Sequence, residues 1–416
     1  MGVVKTVVAE MMSQVVVTDT RQQAKVVYPL LPTVFAIIIC WCGGCNNCVE
    51  IADFWEANQD FLLENVPNLP SQPVSHDTIN RLVRTIRFSE LNDFLVTFCT
   101  RLIERKRNSS VIEPRILALD GQTPRAIEYE PKIDPQGDLY MDHRVYNKLY
   151  YVTLQDTTNR LSLAQTEVQD KENENKACER LVKMFFLENC IVTTDALNTQ
   201  RPLAELIIKQ EGDYCMAVKD NHKTLSQGIK KAFDEHLDEA ECYQTEAEKE
   251  HGRIEQRTVF ALPVSLLNSR ALGEWKADAE TIFMAITEST IVKYKTKREN
   301  EVRFFISSVC FDTPDIARIG YKAIRSHWGI ENSLHWVLDM DYGQDLAQMK
   351  NRDFIKNRLV LNKLSLNIVR IAQKKLQKGA APVSVARARK ILGYKPELIL
   401  ECMTEYFINE KGDLAS

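Results

Sequence analysis

No surplus of positive charge runs through this sequence. Lysine and arginine total 53 against 57 acidic residues, a formal net charge of −4 over 416 residues. Bulk attraction to a polyanion is excluded, so any nucleic-acid surface has to be a local basic patch. No secretory leader is expected either. The start, "MGVVKTVVAEMMSQVV", has neither the charged opening nor the small-residue cleavage site of one. With most cysteines scattered singly, this gives the expectation of a reducing, cytoplasmic setting. No unbroken apolar run of membrane length is present. Val26 to Gly44 is uncharged, but Pro29 and Pro32 interrupt it and Gly43 and Gly44 end it. That favours a buried helix beginning near Leu31. Among eleven cysteines, Cys40, Cys42, Cys45 and Cys48 cluster in "CWCGGCNNCVE". No second ligand pair follows at finger-like spacing, so the cluster is read as helix packing rather than a zinc site. Repeats and low-complexity tracts are absent. What remains is ordinary composition, 44% hydrophobic and 26% charged, on a chain long enough for two or three domains.

Three acidic residues stand out against that background. Asp120 ends the apolar run "RILALDGQT", and Asp195 ends "CIVTTDALNTQ". Glu331 lies in "YKAIRSHWGIENSLHWVLDMD", which reads as an aromatic-rich helix. Carboxylates at the ends of buried strands are costly unless something pairs with them. Mg²⁺ takes a few carboxylate oxygens together with water and phosphate oxygens. Two such ions can activate water and steady a leaving oxygen in phosphodiester chemistry. Each residue also has a blander reading. Asp-Gly is a common turn pair. Asp195 could cap the following helix, although Asn198 is placed to do that instead. His327, Glu331 and His335 fall four apart and so share one helical face. Trp328 and Trp336 are expected in the core, with stacking on an unpaired base as the alternative. Lys219, Lys223, Arg325 and His327 are the candidate phosphate contacts. The basic stretch after Arg352 is expected to be a solvated face over an apolar underside.

Residues 1–108 read as helices over 26–42, 46–63, 76–86 and 90–107, broken by the proline-rich "NVPNLPSQPVS". Ser75 is a good N-cap, with Asp77 in the first turn. Residues 112–220 follow the order β-β-β-α-β-α-β, which predicts a mixed sheet covered by helices. This is the order of an RNase H-like core, in which the first and fourth strand ends are neighbours and Asp120 meets Asp195. A β-rich insertion is expected over 226–310, a return to the core over 311–375, and a tail over 376–416. The expected class is α/β, an RNase H-like mixed sheet behind an all-helical domain at 1–108, with the core formed by 109–225 and 311–375.

Nine blocks carry a family resemblance. They are "TDTRQQAKVVYPL", "SHDTINRLVR", "LALDGQTPR", "KENENKA", "IVTTDALNTQ", "GDYCMAVKDNHKTL", "HGRIEQR", "FFISSV" and "RSHWGIENSLHWVLDMDYGQD". In this order the chain, from about 19 to 375, resembles the DDE transposases of bacterial insertion sequences, in particular the H-repeat-associated family. The resemblance implies Asp120, Asp195 and Glu331 as catalytic, metal-binding residues. It also implies two Mg²⁺ ions (Mn²⁺ able to substitute), DNA as partner, and a homo-oligomer on DNA. Strand cleavage and strand transfer are the implied activity; a nuclease that cuts without integrating, or an inactive DNA-binding relative, are the alternatives. The chain departs from the family at Gln122, Pro124 and Gln344, where Lys, Leu and Glu are usual. In related families Arg and Lys flank the catalytic Glu where His327 and Leu338 stand here.

Overall fold

The computed structural model describes residues 3–107, 113–123, 125–128, 131–133, 139–141, 145–169, 173–250, 252–293, 296–298, 300–345, 351–377, 379 and 382–405. The chain opens with helices α1 (Val3–Ser13), α2 (Leu30–Cys42), α3 (Cys48–Ala57), α4 (Gln59–Asn65), α5 (His76–Thr85) and α6 (Phe88–Arg107). Every residue of α2 except Leu31 is buried, so its uncharged sequence is explained by protein packing. Ser75 Oγ accepts from the Thr78 N–H, the cap read from the sequence. Asn47 Oδ1 accepts from the N–H groups of Val49 and Glu50 and starts α3. Cys40, Cys42, Cys45 and Cys48 thus straddle the α2–α3 junction as buried free thiols. Burial pushes Cys42 and Cys45 up to about 12, which keeps them neutral packing groups. Among the described residues no helix is long and apolar enough to cross a membrane.

The sheet begins with β1 (Arg115–Gln122). Two short ladders follow, β2 (Arg125–Glu128) with β5 (Val145–Lys148), and β3 (Pro131–Ile133) with β4 (Leu139–Met141). Next come β6 (Tyr151–Asp156), β7 (Leu161–Glu167), α7 (Glu174–Val182), β8 (Cys190–Thr194), α8 (Arg201–Lys209) and β9 (Asp213–Val218). β1, β8 and β9 run parallel because α7 and α8 make the crossovers; β6 and β7 are antiparallel hairpin partners. Residues 190–194 are buried throughout, as expected for a strand covered on both faces.

The segment 226–310 does not form a sheet of its own. After α9 (Lys223–His236) come β10 (Glu241–Gln244), β11 (Glu248–Glu250), β12 (Arg253–Pro263), α10 (Ser269–Leu272), β13 (Thr281–Ile291), β14 (Thr296–Lys297) and β15 (Glu301–Ser307). β15 pairs antiparallel with β9, Phe304 opposite Val218, so these strands lengthen the central sheet. α11 (Ile316–Ile330) lies across one face of it. A π-helical turn, Glu331–His335, then leads into α12 (Trp336–Tyr342).

α13 (Arg352–Leu376) joins the two halves. Trp41 Nε1 donates to Asn362 Oδ1, and Asn357 Nδ2 donates to the Val83 and Ile86 carbonyls. From the sheet, the Ser162 N–H donates to Asn367 Oδ1. The expectation of a solvated basic face on this helix is corrected, because Arg358, Lys363 and Arg370 are buried. Their donors go to protein acceptors: Arg358 to the Tyr342 and Gly343 carbonyls, Lys363 to Gln165 Oε1, and Arg370 to the Arg160 and Ser333 carbonyls. The segment expected as a tail carries α14 (Val385–Tyr394) and α15 (Glu397–Thr404), and both pack on α13.

Candidate active site

Strand register brings the two aspartates together. Leu119 of β1 is opposite Thr194 of β8 in the parallel pair, so Asp120 and Asp195 follow from adjacent strands at the same level. Glu331 reaches the same place from the first residue of the π turn. All three line a cleft of about 350 Å³ together with Lys219, Arg303, His327, Trp328 and Ile330. π turns place one extra residue in a helical turn and recur at functional positions. This one is fastened from below, where buried Arg370 donates to the Ser333 carbonyl.

The electrostatics are strained in one direction. Burial pushes Asp120 from the ordinary 3.8 up to about 7, and Asp195, Glu174 and Glu331 push the same way. Glu174, at the start of α7, is itself raised by burial and by Asp195, against the hydrogen bond it accepts from Asn198 Nδ2 at 2.9 Å. His335 Nδ1 stands 3.6 Å from Asp120 Oδ2, yet burial and Lys363 hold its pKa down to about 4. It is therefore a neutral imidazole near pH 7, and the contact is not an ion pair. His327 is lowered by burial too, despite Asp195, and its Nδ1 sits 3.3 Å from Thr193 Oγ1.

Among the described residues no group of three or more His, Cys, Asp or Glu side chains is arranged to hold a metal ion. The expected ligand set of Asp120, Asp195 and Glu331 is thus gathered around one cleft without being drawn into coordination geometry; adjacent anions repel one another. The donor chemistry still suits a hard divalent cation. The acidic groups are all oxygen donors, and the mutual repulsion written into Asp120 is what such a cation relieves.

Residues 113–368 match the model of the family described as the transposase DDE domain, and residues 12–99 match that of a domain described as associated with it. The chain belongs to this family. It is 30% identical over 366 residues to "Putative protein YbfL" of Escherichia coli K12, covering 85% of this chain and 88% of that protein. It is 29% identical over 362 residues to "H repeat-associated putative transposase YhhI" of the same strain, again covering 85% and 88%. Among solved structures, the piggyBac transposase synaptic complex with hairpin DNA matches at a TM-score of 0.42 and 11% identity, over 97% of this chain and 77% of that one.

Within this transposase, Lys219 and His327 line the carboxylate cleft. Arg325 lines a neighbouring pocket instead, and Lys223 is exposed at the start of α9. Asn198 does not cap in place of Asp195: its own N–H donates to Asp195 Oδ1 at 2.9 Å, so the aspartate closes the turn. Trp328 and Trp336 are not core residues, being 40% and 58% exposed. Arg303 lies over the Trp328 ring at 4.2 Å from its centroid. Glu174 and Arg303 were missed. Glu174 sits in the "KENENKA" block but follows no apolar run. Arg303 closes the basic stretch "KRENEVR" at 297–303, but nothing in that stretch ties it to the carboxylates.

Proposed function

We propose that this transposase cuts and rejoins DNA at the Asp120–Asp195–Glu331 cleft, on an RNase H-like core formed by β1, β6–β9, α7, α8 and α11. The reading rests above all on the Leu119–Thr194 register, which sends two aspartates from neighbouring strand ends into one cleft with Glu331. Asp120, Asp195 and Glu331 would hold Mg²⁺ or Mn²⁺. When bound, the ions supply an activated water or 3′-hydroxyl and charge stabilisation at the departing oxygen. Lys219 and Arg303 border the same cleft and offset the charge of the phosphodiester. Neutral His327 serves as a hydrogen-bonding wall beside Asp195. DNA is the substrate, and pairing two element ends calls for more than one copy of the chain.

The test is cleavage of a plasmid carrying the element's ends. Asp120→Asn, Asp195→Asn and Glu331→Gln should each lower cleavage by about 100-fold or more, the loss of several kcal/mol of barrier lowering, with folding kept. Chelation should silence the wild type, and Mn²⁺ should restore it. Near-normal cutting by any one folded variant removes that residue from the site.

A further inference from the structure

Beyond Val259, the face of the sheet extension that α11 covers changes character. Nearer the core it is apolar, with Val259, Phe283 and Phe305 packed under Ile316 and Ala323. Toward the β12 start, the same alternation brings Arg253, Glu255 and Arg257 to that face. In register, Arg257 is opposite Thr287, which is opposite Glu301 of β15, and Arg303 follows two residues on. The Arg298 N–H bonds to the Ser289 carbonyl and adds another guanidinium at the rim. From above, Tyr321, Arg325 and Trp328 descend along one face of α11. They enclose a pocket of about 330 Å³.

Two of its arginines are already engaged: Arg257 pairs with Glu255 and Glu248, and Arg303 with Glu301 at 2.5 Å. Arg253, Arg298 and Arg325 have no ion-pair partner among the described residues. Three guanidinium groups without an acidic partner among the described residues thus meet at one pocket, although the chain as a whole carries a net charge of −4. The pocket is also continuous with the carboxylate cleft. Arg303 and Trp328 line both, and both line the intervening hollow that reaches Asp195 and Lys219.

We infer that this arginine pocket binds the phosphodiester backbone of a nucleic-acid strand at a point removed from the bond being cut, so that one strand runs from the pocket past the Arg303–Trp328 pair into the cleft. Guanidinium groups suit phosphate oxygens because their planar fork donates two parallel hydrogen bonds. The inference rests on the proposed DNA reaction and adds a second anchoring point, on Arg253, Arg298 and Arg325, which lie outside the carboxylate cleft.

The experiment measures binding of a labelled DNA duplex by the full chain across a salt series. Arg253→Ala and Arg298→Ala each replace an exposed side chain, so folding is expected to survive; circular dichroism checks it. Each variant should weaken binding and reduce the slope of log affinity against log salt by about one, and the double variant by about two. Arg253→Lys with Arg298→Lys should keep most of the slope, because charge is retained. Lys390→Ala, in a different cleft, should leave it unchanged. Wild-type binding with a steep slope that the double alanine variant fully keeps overturns the pocket and leaves the DNA reaction standing. A wild type that neither binds nor cuts DNA removes both. Pyrophosphate serves as the free-anion probe. If it binds through Arg253 and Arg298 while DNA affinity ignores them, the pocket takes a free nucleotide and the inference falls.

Discussion

Asp120 carries the charge conflict of the site in a single side chain. Its folded pKa is raised to about 7 by burial first and by three neighbouring carboxylates next, against 3.8 in the ordinary state. The folded protein therefore holds that proton more tightly than the unfolded chain. Stability contributed by this group is full below about pH 4 and is lost as pH rises toward 7. For metal-free protein, Asp120→Asn should raise the melting temperature by a few degrees at pH 8 and leave it unchanged at pH 4, read by calorimetry. Saturating Mg²⁺ should narrow the gap at pH 8 by stabilising the wild type. An equal effect at both pH values would mean packing, not charge, is being altered. Asp120 and Asp195 were legible because each ends an apolar run. Glu174 was not, since its approach depends on an absent side chain: a Cβ on Gly121 would lie 2.4 Å from Glu174 Oε1. Spacing alone does not reveal such a vacancy. Nor did hydrophobicity reveal the exposed Trp328, whose ring faces an arginine rather than the core.

The helix bearing Glu331 departs from what its sequence pattern suggests. Spacing by four placed His327, Glu331 and His335 on one face of an unbroken α-helix. The π turn at Glu331–His335 alters the angular step there, so His327 meets Thr193 near Asp195 while His335 approaches Asp120. Nothing in residue order marks that turn, because it is held by a buried arginine from another helix. Upstream, α11 sits so close to β13 that a Cβ on Gly320 would fall 2.4 Å from the Phe283 ring. Gly320→Ala should cost about 1–3 kcal/mol by overpacking and shift the helix that carries Glu331, lowering cleavage as well. Gly329→Ala, on the same helix, meets nothing within 4 Å and should stabilise by about 0.5–1 kcal/mol. Denaturant unfolding of the pair distinguishes close packing from helix propensity. Equal effects of the same sign would rule out the Phe283 contact as the cause.

At the scale of the whole molecule, the helical and sheet halves share a continuous core. The same apolar cluster holds Trp41 and Phe98 of the first helices, Leu119 and Val192 of the sheet, and Leu364 and Ile368 of α13. The full chain should therefore unfold in one main transition, and a fragment beginning at Ser109 should lack cooperative folding because α13 loses α2, α5 and α6 as partners. A sharp melting transition in that fragment would mean that the sheet half stands alone. Element order was readable from apolar runs and capping residues. This shared core was not, because periodicity tells which face is apolar and not which distant element covers it.

The pairing of α2 with α13 sets a timetable during synthesis. Ribosomes add about 5–20 residues per second, and about 300 residues lie between these helices, so tens of seconds pass before the first receives its principal cover. Throughout that interval the growing chain carries an uncharged helix shielded only in part, by α1, α3, α5 and α6. The nascent protein is for that time a natural client for chaperones that hold exposed apolar segments, and shortening their supply should lower its yield before it lowers its activity.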